Sequence, residues 1–386
     1  PVRIRPVDTT IVEIPVDDGG KGEGITPTAW RTLETVLVRI EDHDGNVGWG
    51  DGFGYFTAQA TKAVVDRLIA PLLLEQEIVD IEEWNLATQR RLHLFGRYGI
   101  TIFAISGVDI ALWDLAAKRA GVPLYRLLGA DSARATPTYA SLVRYADKGL
   151  VAEKCREAIE YGFASLKLHE LTLQEIRAGR EALGAHVPIA VDVNCNWSVE
   201  QAEGMLEPLA ELGVSWLEEP VFPPEDFEAL AGLRNERLPV AAGENWCTAV
   251  QFESAFRQEA VDFAQPSVTK VGGVSEFLKV ARLAADRGVA LLPHTPYFGP
   301  GFFASLHLAA ALPAVRQLEY NFVEPAAWLV DPGRPGPGST YAPTEVPGIG
   351  FEPDPDVLAR YQVAGDVGTE GEAVTGRGVR RTVGEL

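Results

Sequence analysis

Three carboxylates recur at equal intervals in the middle of the chain. Asp192 in AVDVN, Glu218 in WLEEP and Glu244 in AAGEN each follow a short apolar run, and 26 residues separate each acid from the next. One β/α unit has about this length, so the acids are expected at the same rim of consecutive parallel strands. Converging carboxylates repel one another unless a cation neutralises them, and an all-oxygen set suits Mg²⁺ or Mn²⁺. The spacing therefore predicts a divalent metal site; helix capping by each acid separately is the alternative.

Candidate acids and bases lie on both sides of these carboxylates. Lys167 and His169 alternate in SLKLHE, so their side chains are expected on the same face of one strand. His294, in LLPHT, follows Glu244 by 50 residues and comes at the end of a later apolar run. Imidazole titrates near neutral pH, which suits proton transfer. The alternatives are a solvated lysine and histidines that only form structural hydrogen bonds.

The elements that must position these residues follow a strand–helix rhythm from Gly129 onward. Eight strand-like runs alternate with helix-forming sequence, at 136–142, 165–170, 188–194, 215–220, 239–245, 262–268, 289–295 and 316–322. This pattern predicts an α/β protein with a (β/α)8-type, TIM-like barrel over residues 129–330. A doubly wound open sheet would carry a glycine fingerprint after its first strand, and none is present.

Two flanking regions complete the predicted organisation. Residues 1–128 combine an alternating run at 34–51, with a turn at Asp44-Gly45, and helical patterns that stop at Gly121, so they predict an α+β capping domain. The segment 331–386 is rich in proline and glycine and is expected to return over the capping domain.

Composition narrows the class of protein. The chain has 34 Lys and Arg against 54 Asp and Glu, a net charge of −20, which disfavours binding to nucleic acid or anionic membranes. Hydrophobic residues at 46% predict a folded globular protein. The three cysteines are scattered and odd in number, which favours a reducing compartment. With no signal-peptide pattern or long uninterrupted apolar run, the sequence predicts a cytoplasmic enzyme.

The motifs VDVN, LEEP, GEN, QPSVTKVGG and PHT, at these intervals, resemble those of the enolase superfamily, mandelate racemase subgroup. The resemblance implies abstraction of the proton α to a carboxylate, through an enediolate stabilised by Mg²⁺. It implies Asp192, Glu218 and Glu244 as metal ligands, rather than Glu219, because the family places its ligand first in E-x-P. A metal is needed because that proton is too weakly acidic for an unaided side-chain base.

The sequence departs from the family pattern at two places. The family commonly carries K-x-K where this chain has Lys167-x-His169, which implies Lys167 as electrostatic partner and His169 as base or acid. The family also pairs the histidine at the position of His294 with an aspartate, and Ser267 stands at that place. Without that carboxylate, His294 is expected to be neutral more often than in its relatives.

Further residues are expected to contact substrate. Asn194, Lys270 and Glu319 match family active-site positions, and Tyr139 and Tyr297 would make the rim aromatic, with Trp30 closing over it from the capping domain. The expected partner is a small-molecule carboxylate, and a homo-oligomer is expected.

Two reactions and one non-enzymatic role remain open. By analogy within the subgroup, dehydration of a hydroxy acid or sugar acid is favoured, and racemisation or epimerisation of a 2-substituted acid is the alternative. A non-catalytic metal-binding barrel is the third hypothesis. The substrate itself is not encoded in a readable way, because the loops at 17–30 and 52–58 are expected to set specificity.

Overall fold

An antiparallel sheet begins the chain in the computed structural model, which describes residues 1–23, 31–74 and 76–363. Its main strands are β1 (Val2–Asp17), β2 (Thr32–Asp42) and β3 (Val47–Gly52), and β2 pairs with both of the others. The turn between β2 and β3 contains Asp44 and Gly45, and the φ of Gly45, +82°, lies in the left-handed region that glycine adopts without strain. The predicted hairpin is confirmed.

Helices cover one face of this sheet and complete the cap. They are α1 (Ala58–Val64), a π-helical turn (Val65–Ile69), α2 (Ala70–Leu74), α3 (Ile81–Arg91), a 3₁₀ turn (His93–Phe95), α4 (Ile100–Ala120) and α5 (Leu124–Leu127), with the short strand β4 (Glu77–Ile78) before α3. Helix α4 ends at Gly121, the predicted stop. It approaches β3 so closely that a Cβ on Gly50 would lie 2.0 Å from the Gly107 carbonyl oxygen.

Helix α4 is also long and apolar enough to cross a membrane, by length and composition alone. However, 78% of its apolar window is buried inside the protein. That burial is typical of a core helix, because a helix that is apolar all round must be covered by other elements or by lipid.

Eight parallel strands then form a barrel, as predicted. They are β5 (Thr136–Ser141), β6 (Leu166–Leu168), β7 (Ile189–Asp192), β8 (Val214–Glu218), β9 (Val240–Ala242), β10 (Phe263–Ala264), β11 (Ala290–Leu291) and β12 (Leu318–Asn321). Consecutive strands pair from β5 to β11, and β12 pairs with β5. A single bridge between Leu291 and Val315, just before β12, closes the ring.

Seven helices connect the eight strands on the outside. They are α6 (Lys148–Tyr161), α7 (Leu173–Leu183), α8 (Val199–Glu211), α9 (Phe227–Leu233), α10 (Thr248–Arg257), α11 (Gly273–Arg287) and α12 (Pro300–Ala311). Within the described residues, β12 is followed by extended chain instead of an eighth barrel helix. The barrel is therefore a (β/α)7β variant of the predicted (β/α)8 type.

Alternation along the strands determines which side chains face the barrel axis. Ala190 and Trp216 belong to a small apolar cluster that fills the interior. Since inward positions recur every second residue, Asp192 and Glu218 also point inward, one layer closer to the carboxyl ends of their strands. A polar layer therefore lies directly above an apolar one.

The cap is held against this carboxyl-end rim. Asp51, in β3, accepts a hydrogen bond from the Gly301 N–H at the start of α12 at 2.5 Å, and the Phe53 N–H donates to the Thr269 carbonyl at 3.3 Å. These contacts place the residues that follow β3 over the open end of the barrel.

The tail runs from the barrel to the cap. Strand β13 (Glu324–Pro325) pairs with β1, β14 (Thr340–Tyr341) pairs with β5, and α13 (Pro355–Tyr361) packs against β1. The Gly348 N–H donates to the Val122 carbonyl at 3.0 Å, and the Val363 N–H donates to the Ile11 carbonyl at 2.8 Å. The domain boundaries at 128 and 330 remain predictions.

Candidate active site

The three acids singled out by their spacing lie at or just beyond the ends of neighbouring strands. Strand β7 ends at Asp192 and β8 at Glu218, and their Cα atoms are directly paired across the sheet. Glu244 follows the end of β9 by two residues. All three residues are buried.

Lys167 is the cation at the centre of this group. Its Nζ lies 2.6 Å from Glu218 Oε1, 3.0 Å from Glu319 Oε2 and 3.4 Å from Asp192 Oδ2, and the side chain is fully buried. Burial lowers the pKa of Lys167, but Glu218 and Glu319 outweigh burial and hold the pKa well above its usual value. The lysine is therefore an ammonium that links three carboxylates of the barrel strands.

Glu218 and its neighbour Glu219 have different surroundings. The second carboxylate oxygen of Glu218 accepts from Trp216 Nε1 at 2.9 Å and from Gln265 Nε2 at 2.8 Å. Glu219 has a φ of +43°, so strict alternation fails there and its side chain also reaches the cavity, where Asn245 Nδ2 donates to it. This local backbone conformation is not readable from the LEEP motif.

Glu219 and Glu244 form a close carboxylate pair. Burial and the charge of Glu244 raise the pKa of Glu219 well above its usual value. Burial also raises the pKa of Glu244, but His294 outweighs it and holds that pKa well below the usual range. Glu219 is thus the member of the pair that carries a proton in this arrangement.

His169 is held by its two ring nitrogens. Nδ1 lies 2.6 Å from the Leu142 carbonyl, which only accepts, so Nδ1 carries the hydrogen. Nε2 faces the cavity side and lies 3.3 Å from Asp192 Oδ2. Burial lowers the pKa of His169, but the hydrogen bond with Asp192 gives a net upward shift.

His294 approaches from the opposite side of the ring of strands. Its Nε2 lies 2.7 Å from Glu244 Oε2, and its Nδ1 lies 2.8 Å from the Ser267 hydroxyl. The two histidines therefore each direct Nε2 toward one of the strand-end carboxylates.

A cavity of about 450 Å³ opens between these groups and the cap. It is lined by Phe53, Tyr55, Phe56, Ser141, His169, Asn194, Asn196, Glu219, Glu244, Asn245, Lys270, His294, Pro296, Glu319 and Asn321. One wall consists of aromatic residues from the cap, and the other carries amides and the Ser141 hydroxyl from the barrel. Lys270 joins the walls, because its Nζ lies 2.8 Å from Asn245 Oδ1 and 4.5 Å from the centre of the Phe53 ring.

The predicted substrate contacts divide into three groups. Asn194, Lys270 and Glu319 line the cavity. Tyr139 is fully buried below Lys167, whose Nζ lies 5.5 Å from its ring centre, and Tyr297 lies behind His294, so neither is among the described lining residues. Trp30 lies outside the described residues.

Sequence reasoning predicted Asn194 but missed other residues of the amide-rich wall. Ser141 and Asn321 are the last residues of β5 and β12 and are paired directly across the sheet. Asn321 is 6% exposed, and its Nδ2 has no hydrogen-bond partner among the described residues. The strand-end rule that found the acids would also have found these two residues, if it had been applied to neutral polar side chains.

The carboxylate oxygens of the site are ligands that a hard divalent cation prefers, but they do not surround a common metal position in this structure. Five carboxyl groups surround the site, those of Asp192, Glu218, Glu219, Glu244 and Glu319. They outnumber the two nearby lysines even when Glu219 is protonated, which favours a bound cation. Among the described residues, no three His, Cys, Asp or Glu side chains converge on one metal position. Asp192, Glu218 and Glu244 would therefore have to rearrange to hold the ion together.

A capped parallel barrel with acids, a buried lysine and two histidines at its carboxyl-end rim is the architecture of a barrel enzyme, whose catalytic groups gather at that rim. The chain matches the family model of the mandelate racemase/muconate lactonizing enzyme N-terminal domain over residues 11–129. It matches the enolase C-terminal domain-like model over residues 150–357.

Similarity to individual proteins supports the same family assignment. Arabinonate dehydratase of Saccharolobus solfataricus is 35% identical over 77% of this chain and 82% of its own length. D-galactarolactone cycloisomerase of Agrobacterium fabrum is 32% identical over 85% of this chain and 91% of its own length. The crystal structure of a racemase from Streptomyces coelicolor with bound magnesium superposes with a TM-score of 0.82 at 29% identity, covering 93% of this chain and all of that one. The chain belongs to the mandelate racemase/muconate lactonizing enzyme family of the enolase superfamily, and it is an enzyme.

Proposed function

We propose that this enzyme removes the proton α to the carboxylate of a sugar acid or related hydroxy acid, and then expels the β-hydroxyl as water. The observation that carries the proposal is the placement of His169 and His294 on opposite sides of one cavity, with the carboxylate cluster between them. A proton-transfer group therefore faces each side of a substrate bound there.

Asp192, Glu218 and Glu244 are the residues that would hold Mg²⁺, which when bound would stabilise the negative charge that develops on the substrate carboxylate. Mn²⁺ suits the same oxygen ligands. Lys167 adds a fixed positive charge in the same region, and Lys270 and Glu319 are placed to orient the carboxylate end of the substrate.

His169 is the proposed base. Its Nδ1–H is held by the Leu142 carbonyl, so the neutral ring presents the Nε2 lone pair to the substrate. The C–H bond breaks and Nε2 takes the proton. The C–O bond to the β-hydroxyl then breaks, and the same nitrogen returns the proton to that oxygen, so water leaves on the face from which the proton was taken. The enol product converts to a 2-keto-3-deoxy acid.

A second candidate is the ring-opening isomerisation of a cyclic sugar acid. In that reaction the same proton abstraction expels a ring oxygen, and the product has the mass of the substrate. The aromatic cap wall formed by Phe53, Tyr55 and Phe56 favours it, because aromatic faces pack well against the C–H faces of a ring. The similarity to a cycloisomerase also supports ring-opening isomerisation. Racemisation, using one histidine per face, is the third possibility.

The experiment is a screen of open-chain sugar acids, lactones and anhydro sugar acids in D₂O with Mg²⁺, read by mass spectrometry. Loss of one water indicates dehydration, deuterium uptake with an opened ring indicates cycloisomerisation, and deuterium uptake alone indicates racemisation. We expect His169→Asn to lower turnover by roughly 10²–10⁴-fold, the usual contribution of a general base. No deuterium uptake from any acid would refute the proposal and favour a non-catalytic barrel.

A cytoplasmic location and assembly into a homo-oligomer also remain proposals. The location rests on the three scattered cysteines, and the assembly rests on the similarity to the family.

A further inference from the structure

A second cavity, of about 470 Å³, lies on the outer side of the last barrel strand. On β12 the side chains of Glu319 and Asn321 line the cavity between the histidines, whereas Tyr320, between them in sequence, lines the second cavity. The two cavities are therefore on opposite faces of one strand, because successive side chains alternate. No described residue lines both of them. The end of β1, helix α6 and the chain that follows β12 form the walls of the second cavity.

An acidic cluster (Asp17, Asp18 and Glu324) lines this cavity where β1 pairs with β13. Asp17 stands directly opposite Glu324 in that antiparallel pair, and Asp18 is the next residue along the chain. Like charges directly opposite each other destabilise an antiparallel pair. Within the described residues no member of the cluster forms an ion pair, and residues 24–30, which follow, contain no charged side chain. The described part of the chain therefore supplies no counterion for these acids.

Two buried acceptors in the lining have no hydrogen-bond partner among the described residues. Asp18 is 8% exposed, and its Oδ1 accepts from the Gly20 N–H at 2.8 Å, whereas its Oδ2 is unpaired. Tyr145 is 1% exposed, and its hydroxyl is unpaired as well. A Cβ on Gly20 would lie 2.9 Å from the Tyr145 ring, so the two residues are neighbours. Buried polar atoms are costly to leave unpaired, so a donor that serves both is expected.

Lys154 is the cation among the described lining residues, and it already has a partner. Its Nζ lies 2.8 Å from Glu157 Oε2. Its stem passes beneath Gly19, where an added Cβ would lie 2.8 Å from Lys154 Cε. This packing holds the ammonium beside Glu157 and leaves the acidic cluster uncompensated.

Much of the remaining lining is aromatic. Tyr161, Tyr320, Phe322 and Trp328 belong to it, and the ring centres of Tyr320 and Trp328 are 6.4 Å apart. Arg334 Cζ lies 4.6 Å from the centre of the Tyr161 ring, so one ring of this group already binds a cation. A hydrated metal ion would gain little from these rings, whereas an organic cation can contact the rings and the acids together.

We propose that the second cavity binds a small primary amine. The ammonium group donates to Asp18 Oδ2 and to the Tyr145 hydroxyl, and the apolar or aromatic body of the amine lies against Tyr320 and Trp328. An ammonium has three hydrogens and no acceptor, so it matches a site that offers only acceptors. The cavity volume lies in the range of small-molecule pockets, about 300–1,000 Å³. This binding is separate from the function proposed above and needs none of its residues.

The test is calorimetry of the full chain with benzylamine at neutral pH, in the presence of Mg²⁺. Benzyl alcohol is the matched ligand, because it keeps the ring and lacks the charge. We expect saturable binding of benzylamine and at least about tenfold weaker binding of the alcohol. Asp18→Asn should weaken benzylamine binding roughly 10–10²-fold, since it removes a charged acceptor, and Tyr145→Phe roughly 2–10-fold. Glu345→Gln is the matched control, because it removes one exposed acid outside the cavity and should leave binding unchanged.

Absence of saturable benzylamine binding at millimolar concentrations, or equal affinity for the alcohol, would overturn the proposal. Equal affinity in the wild type and Asp18→Asn would overturn it too, since the amine would then bind elsewhere, for example between the histidines. Circular dichroism checks that the variants fold, and Tyr145→Phe carries the test if Asp18→Asn does not. Without amine, Glu324→Gln should not lower the free energy of unfolding, because it removes the repulsion with Asp17. A clear loss of stability there would show that the chain itself neutralises Glu324 and would contradict the proposal.

Discussion

Replacing Lys167 by methionine should make the stability of the fold depend on the metal. The lysine Nζ lies within 3.4 Å of the carboxylates of Asp192, Glu218 and Glu319, and all of these groups are buried. Methionine fills nearly the same volume, so packing changes little. Removing one partner of a buried ion pair costs about 3–5 kcal/mol, because the remaining charge is uncompensated. In the absence of divalent metal we therefore expect the free energy of unfolding to fall by at least about 3 kcal/mol.

Magnesium should recover much of this loss. The lysine repels a cation held by the same carboxylates, and a single and a double positive charge about 5 Å apart interact by about 7 kcal/mol at an effective dielectric constant of about 20. The variant should therefore bind Mg²⁺ more tightly than the wild type. A ligand present at about 100 times its Kd stabilises the folded state by about 2.7 kcal/mol, so the Mg²⁺-dependent gain at a fixed concentration should be larger in the variant.

The assay is urea unfolding of both proteins, with EDTA and with Mg²⁺. Lys118→Met is the matched control, because Lys118 also contacts two carboxylates, at 3.2 and 2.6 Å, but lies in the cap away from the site. The control should not change the effect of Mg²⁺. If Lys167→Met is as stable as the wild type in EDTA, or if Mg²⁺ stabilises both proteins equally, the strand-end acids and the lysine do not form one charge-balanced metal site.

Two further outcomes are expected. In calorimetry, Glu218→Gln should weaken Mg²⁺ binding more than Glu219→Gln does, and the opposite ranking would move the ligand assignment to Glu219. His307 has its pKa lowered to about 4 by burial, and its two nitrogens are bonded to a backbone N–H and a backbone carbonyl. Because the unfolded imidazole titrates near about 6.5, stability is present above that pH and is lost as the pH falls toward about 4, by up to about 3 kcal/mol. His307→Asn should remove this part of the pH dependence of urea unfolding, and His186→Asn, at an exposed histidine, should leave it unchanged.

Features set by local periodicity were predictable from the sequence. The interval between Asp192 and Glu218 reflects one strand–helix unit, and both acids end their strands in the structure. The alternation of Lys167 and His169 likewise placed both side chains inside the barrel, because the strand period is two. Such predictions depend only on residues that are close together in the sequence.

The rest of the site depends on contacts between distant segments. Asn321 meets Ser141 because the last strand pairs with the first, a closure that no local pattern specifies. Phe53 meets Lys270 because the cap is held on the barrel rim. Glu219 reaches the cavity only through a positive φ, a conformation that non-glycine residues rarely adopt. Sequence reasoning therefore found the acids and some wall residues, such as Asn194 and Lys270, but not the contacts that bring the two walls together.

The two departures from the family pattern have a common structural result. His169 donates Nδ1–H to a main-chain carbonyl, and His294 faces a hydroxyl at the same nitrogen, so neither imidazole has a carboxylate behind it. Each instead has a carboxylate beside Nε2, Asp192 for one and Glu244 for the other. Mg²⁺ held by these two carboxylates would remove that partner from both histidines and leave each Nε2 facing the cavity. The face that loses its proton would be decided by the configuration of the substrate at its α-carbon, and by which face the amide and aromatic walls present to each histidine.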